Sequence, residues 1–99
     1  MTRPFYSDYV RHAMRFYSRN IQITYFRSEV DKINWNSCNK AIQTYSERDR
    51  NILIDVYKGY DTLADNVYNA SINWSIDQNV IWDMMKEFER KIAKRRKLI

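Results

Sequence analysis

The sequence predicts an all-α fold: a compact bundle of about five helices with a C-terminal helix-turn-helix and a long last helix. Three observations predict it. Apolar residues recur at helical spacing through most of the chain, as in VYNASINWSIDQNVIWDMMK over 67–86. One Gly and one Pro leave few turn punctuators, and neither Asn-Gly nor Asp-Gly occurs to close a hairpin. Ninety-nine residues suffice for one modest core and not for two, so 1–99 reads as a single domain. Within it, 1–58 supplies supporting helices and 61–97 the helix-turn-helix with its basic tail.

The first helix is expected to begin after Arg3-Pro4, with Ser7 as N-cap, and to run to about Arg19. Val10, Ala13, Met14 and Tyr17 share its inner face at i, i+3, i+4 and i+7. Arg11, Arg15 and Arg19 repeat every four residues elsewhere, as a basic stripe that suits either solvent or a phosphate backbone. Residues 20–27, NIQITYFR, break the helical period, with Ile21, Ile23 and Tyr25 on one side. With no partner strand in view, this stretch reads as an ordered connector laying apolar side chains on the helices.

A second helix is expected from Ser28 to near Tyr45, with Val30, Ile33 or Asn34, Cys38, Ala41, Ile42 and Tyr45 keeping the period. Ser46-Glu47-Arg48-Asp49 is an Asp version of the capping-box spacing and opens a third helix. In it Ile52, Leu53, Val56 and Tyr57 point inward and Gly59 is the stop. Asp61 or Thr62 caps a fourth, with Leu63, Val67 and Ala70 inward, ending between Asn73 and Ser75. Asp77 caps the last, about Gln78 to Arg96, which at 1.5 Å per residue extends ~28 Å.

Composition excludes several classes. Hydrophobic residues make up 44% of the chain, too many for disorder by composition, and aromatics reach 15%. A lone cysteine, Cys38, allows no internal disulfide, which favours a reducing compartment. The N-terminus has no apolar stretch of signal-peptide length, and no run approaches ~18 apolar residues. A cytoplasmic protein without a membrane partner is expected. The net charge of +5 divides unevenly: residues 1–27 balance to +4, residues 28–89 to −5, and residues 90–99 to +6. Two basic ends around an acidic middle suggest a polyanion met at particular places.

No constellation for catalysis, metal or cofactor emerges. His12 is the only histidine and has no acid or nucleophile pattern near it. Cys38 lacks metal-ligand spacing and falls on an inner face, as a structural thiol. A single Gly cannot build a phosphate loop. A non-enzymatic protein without cofactors is expected.

The last helix carries the strongest functional signal. Val80, Ile81, Met84, Met85, Phe88 and Ile92 fill one arc, and Asn79, Trp82, Lys86, Arg90 and Lys97 the other, with Gln78 at its edge. Gln and Asn can bond an adenine edge, and a first helical turn is where a recognition helix usually reads bases. Lys86, Arg90, Lys94, Arg95 and Arg96 suit phosphates. The match has departures: Ser71 stands where a small Ala is usual, and Ser75 where Gly makes the turn. Asp83 sets negative charge near the expected DNA. The three tryptophans divide, with Trp35 and Trp74 at the core edge and Trp82 either packed or a contact to a thymine methyl or sugar.

The pattern RDRNILIDVY, then DNVY, then VIW leading to EFERKIAKRRKLI, resembles small phage-encoded transcriptional regulators of Firmicutes, the ArpU- and RinA-like group. Their C-terminal half is similar to region 4 of bacterial sigma factors. YSDYVRHAMRFYSRN and SEVDKINW are similar to short phage proteins of this kind. The resemblance implies a regulator whose terminal helix reads duplex DNA near a promoter while touching host RNA polymerase. It assigns Gln78, Asn79, Trp82 and Lys86 to DNA reading, and Arg90, Lys94, Arg95 and Arg96 to the backbone. Arg96-Lys97-Leu98-Ile99 departs from it, lacking a Gly before Leu-Ile. A homodimer would raise the affinity of a lone helix-turn-helix, though no long heptad seam is present. The competing expectation is a small phage inhibitor that binds a host protein, a defence nuclease or polymerase. Asp49, Asp55, Asp61 and Asp65 would then mimic nucleic acid, and Tyr60 and Trp82 would anchor the interface.

Overall fold

Three helices begin at Ser or Thr caps, of which the sequence marks Ser46 outright and Thr62 as an alternative to Asp61. In the computed structural model, which describes residues 4–99, the Oγ atoms of Ser28 and Ser46 and the Oγ1 of Thr62 each accept the backbone N–H three residues on, at 3.2 Å. These open α2 (Glu29–Ile42), α3 (Glu47–Lys58) and α4 (Leu63–Trp74). Asp77 opens α5 (Gln78–Arg95) by accepting from the Asn79 N–H at 2.7 Å. Only α1 (Ser7–Arg19) starts otherwise. Ser7 is buried inside its first turn, and its N–H donates to the Pro4 carbonyl at 3.1 Å, so it is not the N-cap. Arg3 lies outside the described residues. No strand occurs among the described residues.

One core runs through all five helices. Val10, Met14, Cys38, Ile42, Ile52, Leu53, Val56, Tyr57, Val67, Ile81, Met85, Phe88 and Ile92 are fully or almost fully buried. Helix α1 packs on α2, α3 and α5; α3 packs on α4; and α5 closes against α2 and α4. Helix α2 stops at Ile42, short of Tyr45, and two aromatic pairs, Tyr45–Phe88 at 5.6 Å and Tyr57–Phe88 at 6.3 Å between centroids, join α5 to the turn after α2 and to α3.

Two expectations are corrected, and a third holds in a different backbone conformation. On α2 Val30 faces solvent rather than the core, and of the two alternatives Ile33 and Asn34 the inner residue is Asn34. Asn34 Oδ1 is claimed by two donors, Tyr9 Oη at 3.2 Å and Arg96 Nε at 2.6 Å, which an apolar side chain could not satisfy. In the connector, Ile21 and Tyr25 are exposed, and Phe26 does the packing, 5.9 Å from the Trp35 ring. The Trp35 indole N–H, donated to the Asn20 carbonyl at 2.9 Å, ties the connector's start to α2. Gly59 does end α3, but in an extended rather than left-handed conformation. A Cβ there would overlap the Asn66 side chain, which is buried and donates to the Val56 carbonyl at 3.0 Å.

The connection Ser75-Ile76-Asp77 joins α4 to α5. Ser75 adopts the left-handed conformation (φ 52°, ψ 49°) that its place in the turn demands. The Ile76 and Ser75 N–H groups donate to the Ser71 and Ile72 carbonyls, the paired bonds of a Schellman motif. The same motif ends α5. Lys97 takes φ 58°, its N–H donates to the Lys94 carbonyl and that of Leu98 to Ala93, and Leu98 folds back on the core. The chain thus turns off α5 where a Gly was expected, with Lys in the Gly conformation.

Candidate nucleic-acid interface

Helix α5 presents its outer face because its inner face is fixed at several points. Ile81, Met85, Phe88, Ile92 and Ala93 are buried along it. A further inner residue is Glu89, 3% exposed. Its Oε2 accepts from Arg11 Nε at 3.0 Å and from Tyr57 Oη at 2.5 Å, joining α5 to α1 and α3. Burial, and then the adjoining carboxylate, push the Tyr57 phenol well above its ordinary pKa. The Arg11–Glu89 pair was missed in the sequence, although Glu89 sits between Met85 and Ala93 at four-residue spacing and so inside the apolar arc.

That inner arc is rotated by about 50° from the one read in the sequence, half the angular step between neighbouring residues. Val80 moves to the exposed side at 48%, Glu89 and Ala93 move in, and Trp82 becomes half-buried against the core. Gln78, Asn79, Lys86, Arg90, Lys94 and Arg95 are exposed. Lys86, Arg90 and Lys94 repeat every four residues on the outer face. The side chains of Lys86, Arg90, Lys94 and Arg95 make no hydrogen bond or ion pair among the described residues. Asp83 and Glu87 share this face and are also exposed.

Arg96 does not join the row. The end of α5 turns it back onto α1 and α2, where it donates to Asn34 Oδ1 and, from Nη2, to Tyr9 Oη at 3.1 Å. This guanidinium contact holds the Tyr9 phenol below its ordinary pKa. Lys91 is likewise engaged, paired with Glu87 at 3.2 Å and lying 4.3 Å from the centroid of the Tyr45 ring. The free cations of the last helix are therefore concentrated at its middle and C-terminal end. Its first turn offers amide side chains in Gln78 and Asn79.

The basic stripe of α1 is mostly consumed internally. Arg11 holds Glu89, and Arg19 donates to the Lys58 and Gly59 carbonyls at 3.2 and 3.0 Å, closing the end of α3. The Arg19 guanidinium also lies 3.9 Å from the centroid of Tyr60. Among the acids of the middle segment, Asp55 accepts from the Trp74 indole N–H at 2.8 Å. Beside the α4–α5 turn, Tyr68 and Ile72 are 53% and 58% exposed, one helical turn apart.

No helix among the described residues is long and apolar enough to cross a membrane, and no group of three potential metal ligands occurs among them. Comparisons with family models, curated proteins and solved structures found no match to this chain.

Proposed function

We propose that this protein is a non-enzymatic DNA-binding regulator of phage type, which meets duplex DNA with α5. The observation that carries the reading is the row Lys86, Arg90, Lys94 and Arg95, exposed and without a partner among the described residues, on a helix whose other side is locked into the core. A helix anchored in this way can present cations to phosphates at a fixed spacing, which sets register without reading sequence. Gln78 and Asn79, in the first turn, would supply base contacts. The likeness of the C-terminal half to sigma-region-4-like phage regulators points the same way. Asp83 and Glu87 favour a docked orientation that tilts the C-terminal half of α5 toward the backbone and away from close approach at its middle.

Titration of fluorescent duplexes, random and promoter-derived, at two salt concentrations tests the reading. Lys94→Ala with Arg95→Ala should weaken binding to every duplex and flatten the salt dependence. Asn79→Ala should narrow the gap between specific and random duplexes. If none of these changes alters duplex binding, the proposal fails.

A second reading is favoured by the exposure of Tyr68 and Ile72 beside the turn. An apolar strip there would suit a protein partner, host RNA polymerase or the target of an inhibitor. Trp82 is a weaker anchor for it than the sequence implied, because it is half-buried, and Tyr60 is already covered on one side by Arg19. A stoichiometric partner retained from nuclease-treated host lysate, in the absence of duplex binding, would replace the DNA reading with this one.

A further inference from the structure

A cleft away from α5 brings together side chains that the DNA reading does not use. His12 and Phe16 line it from α1, one turn apart, and Asn20 from the residue that follows the helix. Ile23, Tyr25 and Arg27 come from the connector and Asp31 from the first turn of α2. Its volume of about 450 Å³ falls in the range of small-molecule sites. The wall is braced from behind: Trp35 donates its indole N–H to the Asn20 carbonyl, while its ring lies 5.2 Å from Tyr17 and 5.9 Å from Phe26. Asn20 Nδ2 donates to the Phe16 carbonyl at 2.8 Å, and its Oδ1 accepts no hydrogen bond among the described residues.

Two features mark the cleft as a binding site rather than a packing gap. Tyr25 stands at its rim 76% exposed, an aromatic that the connector does not bury. Arg27 and Asp31 line the same space, one helical turn apart in sequence, yet form no ion pair, and the His12 side chain makes no hydrogen bond among the described residues. The site therefore offers two aromatic surfaces, a guanidinium and an imidazole with no partner among the described residues, and acceptor oxygens on Asn20 and Asp31. Planar aromatic ligands stack on such surfaces, the acceptors match exocyclic amino groups, and the fork of Arg27 matches a phosphate.

We propose that this cleft binds a nucleoside 5′-monophosphate, the base against Phe16 and Tyr25 and the phosphate against Arg27 and His12. Binding is non-covalent and independent of the outer face of α5, with which the cleft shares no residue.

The test is titration of the full-length, 15N-labelled protein with AMP, GMP, CMP and UMP, followed by NMR. At least one nucleotide should shift the amides of residues 23–31 and the Trp35 indole N–H, while the amides of Lys86 to Arg95 stay in place. Arg27→Ala should weaken binding by about tenfold or more, the loss of one charge-assisted contact. Tyr25→Ala should weaken it several-fold and Tyr25→Phe should restore it. Both positions are exposed, so neither change threatens the fold. The proposal is overturned if no nucleotide shifts these signals at about 10 mM, a concentration that would detect even millimolar affinity. It is equally overturned if inorganic phosphate or the unphosphorylated nucleoside binds as tightly as the nucleotide, or if Arg27→Ala and Tyr25→Ala bind like the wild type.

Discussion

Ser75 and Lys97 each carry a positive φ that an L side chain adopts only at a cost, and each does so to close a helix. The strain is of order 1–2 kcal/mol per residue for a non-Gly side chain. Ser75→Gly and Lys97→Gly should therefore each raise stability by about 1 kcal/mol, less the extra entropy that Gly brings to the unfolded chain. Urea denaturation would read the gain, and a loss at either position would contradict the turn described. Cys38 gives a second residue-level prediction. Burial pushes its thiol up to about 12, whereas an unfolded thiol ionises near 9. The unfolded chain then releases its proton first as pH rises, so stability is full below pH ~9 and declines between there and ~12. The expected loss from this group is about 1.4 kcal/mol between pH ~8 and ~10, absent in Cys38→Ala. Comparing the denaturation midpoints of the two proteins across that window isolates it.

At the level of elements, the Arg11–Glu89–Tyr57 cluster decides how α1, α3 and α5 meet. The Arg11 and Glu89 side chains are 15% and 4% exposed, so removing either leaves the other charge largely desolvated. Arg11→Ala or Glu89→Ala should each cost about 3–5 kcal/mol. Arg11→Met with Glu89→Leu should recover most of that loss, because an apolar pair of similar volume needs no charge compensation. A double-mutant cycle by denaturant titration checks this; additive losses would mean that the two side chains act independently. The same cluster accounts for the rotation of α5. A carboxylate in the middle of an apolar arc looks like an outer-face residue until Arg11 supplies its counter-charge from 78 positions away. The α1 stripe obeys the same rule. Its spacing is that of a solvent face, but Arg11 and Arg19 lie opposite a buried acid and the end of α3.

For the whole molecule, the charge blocks of the sequence translate into a surface only after these internal pairs are removed. Six bases close the chain, yet Lys91 and Arg96 are engaged with Glu87, Tyr9 and Asn34. Lys86, Arg90, Lys94 and Arg95 remain as the free set on α5. Under the proposed function, four phosphate contacts would give a log-log salt slope of about −3.6, and Lys94→Ala with Arg95→Ala would reduce it to about −1.8. Arg96→Ala should leave the slope nearly unchanged and instead lower stability, since Arg96 joins α1, α2 and the end of α5. A slope that falls equally with Arg96→Ala would place that side chain on the polyanion after all.

The all-α class, the five helices, the caps at Ser46 and Asp77 and most of the core are legible in the amino-acid sequence, whereas Ser28 and Thr62 are identified as caps only by the bonds they accept. Those properties follow from local chemistry: a Ser, Thr or Asp oxygen three or fewer residues from an orphan N–H, and apolar side chains repeating every 3.6 residues. The sequence also marked the turn at Ser75. Which polar residues belong inside depends on long-range packing. Asn34, Glu89, Arg11 and Arg96 are polar in any sequence window, and their burial depends on partners that reach them from distant helices. The set of cations left free to meet a polyanion follows from that pairing, because a charge already satisfied inside the protein cannot serve a ligand.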